Sequence, residues 1–167
     1  MLKYGSRMLM LAAAMTISAP LLGALTRSAD LIPFPAGYRS WMHVKSAINE
    51  PSHPQFGKFS GMYHIYANKR ALEGYRTGRF PDGSVLVFDL RKSRTENHVT
   101  QAAGRHFIDV MVRDRQKYKE TDGWGYEEFW DGNPGMRTVS SARREMICHS
   151  CHEVQKSRDF VFSSVSD

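Results

Sequence analysis

The chain has 167 residues, with 23 Lys and Arg against 17 Asp and Glu, a formal charge of +6 and only two cysteines. Half of the positive excess (Lys3, Arg7 and Arg27) falls in residues 1–29, which hold no acid, so residues 30–167 carry a formal +3. The remaining basic residues are interspersed with acids, as in "RDRQKYKETD", which excludes a nucleic-acid-binding stripe.

The N-terminus reads as an address. Lys3 and Arg7 precede "MLMLAAAMTISAPLLGAL", and no acid appears before Asp30. That is the layout of a secretory signal, with imperfect cleavage patterns ending at Ala24 and Ala29. The apolar run approaches the ~18–20 residues of a membrane span, so left uncleaved it would serve as an anchor. Residues 1–29 are therefore expected to direct residues 30–167, a single domain, to the periplasm.

In the exported part, Pro33 and Pro35 favour an extended start, followed by a short helical turn around Tyr38–His43. "NEPSHPQFGK" reads as a loop. "FSGMYHIYA", residues 59–67, is aromatic and β-branched and predicts a strand. Asn68 and Gly78 bracket a helix with Leu72 and Tyr75 facing the core. Pro81-Asp82-Gly83 makes a turn into the strand Val85–Leu90. Residues 105–114 and 124–130 predict two more strands. After "DGNPG", a helix capped by Thr138 or Ser140 runs through "TVSSARREMICHSCHEVQKS". The sum is an α+β fold, mainly an antiparallel β-sheet with short helices. Four long amphipathic segments are absent, which excludes a four-helix bundle.

Cys148, Cys151 and His152 spell Cys-x-x-Cys-His, the attachment signature of c-type haem. A disulfide is the ordinary use of two cysteines in an exported protein, but this spacing with the following histidine favours thioether attachment. Structural zinc requires four ligands, and no second Cys or His pair stands at close spacing. A redox Cys-x-x-Cys would sit by a thioredoxin-like strand and helix, which are lacking here. Cys148 and Cys151 thus bond one haem and His152 ligates its iron, while His149 between them is an exposed spacer.

A sixth ligand would make the chain an electron carrier. No Met follows His152, and Met146 is too close to the motif to reach the opposite haem face. Met42, Met62 and Met111 read as core filling. His43, His53, His64, His98 and His106 read as surface or core residues. The late motif therefore fits an iron with an open side.

"PAGYRSWMHV", "YANKRALEGYRTGRFPDGSVLVFDL" and "CHSCHEVQKSRDFVFS" resemble the cytochrome P-460 and cytochrome c′-beta family over nearly the whole of residues 30–167. The resemblance implies an antiparallel sheet, a homodimer and a five-coordinate c-type haem between sheet and C-terminal helix. In the hydroxylamine-oxidising branch, a lysine on the strand after the Asp-Gly turn cross-links to the porphyrin. Here the matching residue is Phe88, which has no amine. Lys92 is four residues further, about 13 Å along an extended chain. In the c′-beta branch two phenylalanines cap the open side, and these match Phe59, with Phe56 as the alternative, and Phe88.

An apolar face without a hydrogen-bond donor disfavours O₂, and NO and CO depend on such a donor much less. The expected role is periplasmic NO binding, and weaker CO binding, for scavenging, sensing or transport, with no residue assigned a catalytic task and the redox partner unknown. The rival readings are a hydroxylamine- or NO-oxidising enzyme and a plain electron-transfer cytochrome. The enzyme would need a proton acceptor: Asp89 should point to the other sheet face, and Asp109 is the weaker candidate. Arg143 and Arg144 are the candidates for holding the haem propionates.

Overall fold

The computed structural model describes residues 31–137 and 141–165. The predicted signal in residues 1–29 and the helix caps Thr138 and Ser140 lie outside the described residues.

Five strands form one antiparallel meander: β1 (Met42–Asn49), β2 (Gly61–Ala67), β3 (Val85–Glu96), β4 (Val99–Arg113) and β5 (Trp124–Trp130), each paired with its neighbours in the chain. Three short α-helices accompany them: α1 (Phe56–Phe59), α2 (Lys69–Thr77) and α3 (Ser141–His152). The fold is α+β, as expected, with a C-terminal helix that bears the Cys-x-x-Cys-His motif.

The caps that define α2 act as read from the sequence. The Asn68 side chain accepts from the Ala71 amide at 2.9 Å, and Gly78 ends the helix in the left-handed region at φ 76°. The edge strand β1 replaces the helical turn predicted to continue to His43. A 3-10 turn covers only Tyr38–Ser40, and the chain is extended from Met42. β1 buries only Val44, so its sequence shows no apolar alternation, and ladder bonds to β2 hold it. β3 and β4 run past their predicted ends into an exposed hairpin arm. Asn97 and His98 turn that arm with φ of 49° and 63°, the two positive values that a tight two-residue hairpin requires.

Strand pleating sorts the side chains onto two faces. On the first face, β3 contributes Leu86, Phe88 and Leu90, set opposite Met111, Asp109 and Phe107 of β4. Trp124, Tyr126, Glu128 and Trp130 of β5 continue these rows. Helix α2, Cys148 of α3 and the C-terminal Phe160 and Val161 pack into the apolar cluster there. On the second face, Val87, Ile108, Val110 and Phe129 meet Ile32, Tyr38 and Trp41 of the N-terminal segment.

Candidate functional site

Helix α3 carries Cys148, Cys151 and His152 at positions i, i+3 and i+4, which share one helix face. No disulfide joins the two cysteines. Cys148 packs against the first-face cluster, and Cys151 is exposed.

His152 is held by the chain that follows it. Its Nδ1–H donates to the Phe160 carbonyl at 2.7 Å, which fixes the tautomer and leaves Nε2 as the free lone pair. Tyr126 lies 5.3 Å from the imidazole, and Phe162 meets it edge-on at 5.0 Å. Burial lowers the imidazole's pKa, which favours the neutral, ligating form.

Bringing the Phe160 carbonyl back to His152 requires a sharp reversal. Asp159 and Phe160 both adopt left-handed backbone, at φ 53° and 66°, a conformation that is costly for a bulky residue. The reversal is over-determined. The Asp159 carboxylate accepts from the Phe80 amide at 2.7 Å and pairs with Arg113 at 3.3 Å, while its carbonyl accepts from the Trp124 indole at 3.0 Å.

The sheet face that receives α3 bears an aromatic wall. Phe88 packs 5.9 Å from Phe59 and 6.3 Å from Phe107, Phe59 packs 5.7 Å from Phe107, and Tyr63 stacks on Phe88 at 4.9 Å. The sequence-predicted pair Phe59 and Phe88 is thus in contact. Phe59 does not begin a strand, as predicted; it ends α1, and β2 starts at Gly61. Phe56 is half-buried on the same helix.

Sequence reasoning missed three members of this surface. Phe107 completes the wall, and its only sequence signal was the alternation of β4. The other two are Lys58 and Glu128, paired at 2.7 Å. The Lys58 ammonium lies 5.3 Å from the centroids of both the Phe59 and Phe107 rings, within cation–π range. Burial pulls its pKa down, but the hydrogen bond to Glu128 and the charges of Asp109 and Glu128 outweigh that and hold it raised. The expected donor-free hydrocarbon face is therefore bordered by a cation and two carboxylates.

Of the two aspartates weighed from sequence, Asp109 stands directly opposite Phe88 on the wall's face. Asp89 lies on the other face, as expected, where it accepts from Tyr38 Oη at 2.6 Å and Arg105 Nε at 3.1 Å. His149 corrects an expectation, because it is buried and not an exposed spacer. One residue past Cys148, it turns from the motif face toward Tyr126, Phe160 (ring centroids 5.0 Å apart) and Asp122, whose carboxylate is 3.1 Å from its Nε2.

The other histidines and methionines sit as follows. Met62 and His64 lie on the second face, and His43 joins His64 through Ser46 on an exposed edge. Met111 fills the first-face cluster, and Met42 is exposed. His53 and His98 are exposed, and His106 flanks Phe107 at 5.0 Å. Arg143 is exposed, and the side chain of Arg144 lies outside the described residues.

A neutral imidazole with its Nε2 left free, two thiols on the same helix face and a wall of rings on the sheet face against which that helix packs fit a haem held through His152. Comparison with curated proteins gives no match. A family model described as Cytochrome P460 matches residues 35–163, which take in all five strands, the three helices and the Cys-x-x-Cys-His motif. The chain belongs to the cytochrome P460 family, and that family implies a haem cofactor.

Proposed function

We propose that the chain is an exported, periplasmic mono-haem c-type cytochrome that binds NO, and CO more weakly, for scavenging, sensing or transport. Cys148 and Cys151 would attach the haem covalently, and His152 would ligate its iron through Nε2. When bound, the group supplies one open coordination position for a diatomic gas. The contact of Phe59, Phe88 and Phe107 carries this reading. Three rings on the face that receives α3 exclude water and leave little room for a protein ligand opposite His152. Phenylalanine at position 88 also removes the amine that a porphyrin cross-link needs. The family resemblance further supports a homodimer.

The test is an optical spectrum of the purified ferrous protein with and without NO and CO. A five-coordinate spectrum that changes on adding either gas is the expected result. A six-coordinate, low-spin spectrum in both redox states would replace this reading with plain electron transfer.

One observation favours a second reading, oxidation of hydroxylamine or NO. Asp109 stands opposite Phe88 in the sheet register, where a carboxylate can accept a proton from a substrate at the wall. Turnover of hydroxylamine with an added oxidant, abolished by Asp109→Asn, would establish it.

A further inference from the structure

Helix α1 is four residues long and follows a stretch broken by Pro51 and Pro54. A helix this short has no stability of its own, and its contacts hold it in place. Two polar ties bind it to the sheet. Asn49 Nδ2 donates to the Phe59 carbonyl at 2.7 Å, and the Lys58 ammonium bonds Glu128 Oε2 at 2.7 Å. The second tie is asymmetric: 52% of the Lys58 side chain is exposed against 8% of that of Glu128. Water and salt therefore reach the pair from the lysine side.

A cavity of about 320 Å³ lies beside these ties. Its wall includes Asn49, Phe56 and Ser60, the last two on either side of Lys58 and Phe59 in the chain, together with Lys92, Ser93 and His106. The cavity adjoins the aromatic wall, because His106 precedes Phe107 and its ring is 5.0 Å away, and because Ser60 follows Phe59. No lining residue is acidic, while Lys92, Asn49 and the serines offer donors. Such a lining suits a small neutral or anionic molecule and opposes a cation.

We propose that this cavity is the antechamber through which a small nitrogen oxide reaches the aromatic wall, and that Lys58 sets the rate of passage by latching α1 to Glu128. This rests on the reading that the open iron position faces Phe59 and Phe88. The Phe59 ring packs against both Phe88 and Phe107, and Phe56 and Ser60 of the same short segment line the antechamber, so lifting α1 would open the way from one to the other. Lifting breaks the Lys58–Glu128 bond and withdraws the ammonium from the Phe107 ring, while Phe59 travels with the helix. Lys58 is a positioning residue here, and it acts by placing Phe59.

A latch on a path changes a barrier and leaves the end states unchanged, which separates this proposal from a ligand contact. The probe is CO, followed by flash photolysis of the full-length ferrous holoprotein. Lys58→Met keeps the apolar stem over the rings and removes the charge. It should raise CO association and dissociation by the same factor, about tenfold for ~1.4 kcal/mol of barrier, with the equilibrium constant unchanged. Glu128→Gln, which keeps a neutral partner and protects against misfolding, should raise both rates less. Ser93→Trp, which fills the antechamber, should slow both equally. Added salt should speed the wild type and leave Lys58→Met unaffected.

Wild-type rates in Lys58→Met and Ser93→Trp with an intact haem spectrum would overturn the latch. A change in association alone, with a shifted equilibrium, would also overturn it by making Lys58 a contact of the bound ligand. If the wild type forms no CO complex at all, the parent reading fails and this one falls with it.

Discussion

At the scale of single residues, Asp89 shows how the pleat of a strand divides labour between neighbours. Phe88 enters the aromatic wall, and the carboxylate beside it is sent to the opposite face, into the hands of Tyr38 and Arg105. Burial alone would raise the pKa of Asp89, but those hydrogen bonds and the charges of Arg105 and Arg39 hold it below the usual carboxylate range. A carboxylate whose pKa is depressed by folding stabilises the fold above its unfolded value, and loses that contribution as pH falls through the folded value. Asp89→Asn should therefore flatten the acid side of the stability profile below about pH 4, near the ordinary carboxylate value. It should also cost about 3 kcal/mol at neutral pH. That is the low end for breaking a buried pair, since Arg39 is largely exposed and contributes little. Denaturant titrations at pH 7 and pH 3 test it: an equal loss at both would mean that the network holds a neutral aspartic acid.

At the scale of elements, Gly74 explains why α2 can pack directly on Phe80. A β-carbon there would come within 2.2 Å of the Phe80 ring, so the helix and Phe80 share space that only a hydrogen can leave open. Helix propensity favours alanine by up to about 1 kcal/mol, whereas overpacking costs about 1–3 kcal/mol. Gly74→Ala should thus destabilise by about 1 kcal/mol or more, and a rise in midpoint on thermal unfolding would contradict the packing argument. Elements with strong local signals were legible in the sequence. α2 has its Asn68 and Gly78 caps, β3 has its turn and apolar run, and β5 has its aromatics. β1, with Val44 alone buried, and the hairpin arm beyond Leu90 were not, because backbone pairing holds them and leaves no apolar pattern. The same contrast runs through the site. Cys148, Cys151 and His152 fall within five residues and announce themselves. Phe107, Lys58 and Glu128 converge only through strand register and the placement of α1, so no local spacing could reveal them. His149 was misread because the face it presents depends on which side of α3 meets the sheet.

At the scale of the whole molecule, one sheet separates two packed layers, and the C-terminal segment binds helix α3, which carries the Cys-x-x-Cys-His motif, to the first of them. Phe160 and Val161 are nearly fully buried in that layer, and the Phe160 carbonyl also orients His152. Folding and the orientation of His152 therefore share a single segment, secured by Asp159 through Arg113, Phe80 and Trp124. A chain ending at Arg158 tests that coupling. It would lose two buried apolar side chains worth about 1.5–3 kcal/mol each, or at least ~3 kcal/mol together. At about 3 °C per kcal/mol for a domain of this size, the melting temperature should fall by roughly 10 °C. If the segment served stability alone, the haem absorption of the surviving folded protein would match the full-length spectrum. Because the Phe160 carbonyl also sets the tautomer and direction of His152, the truncated protein should show a shifted ferrous spectrum even below its melting point. A fall in melting temperature with an unaltered spectrum would assign the orientation of His152 to Tyr126 instead.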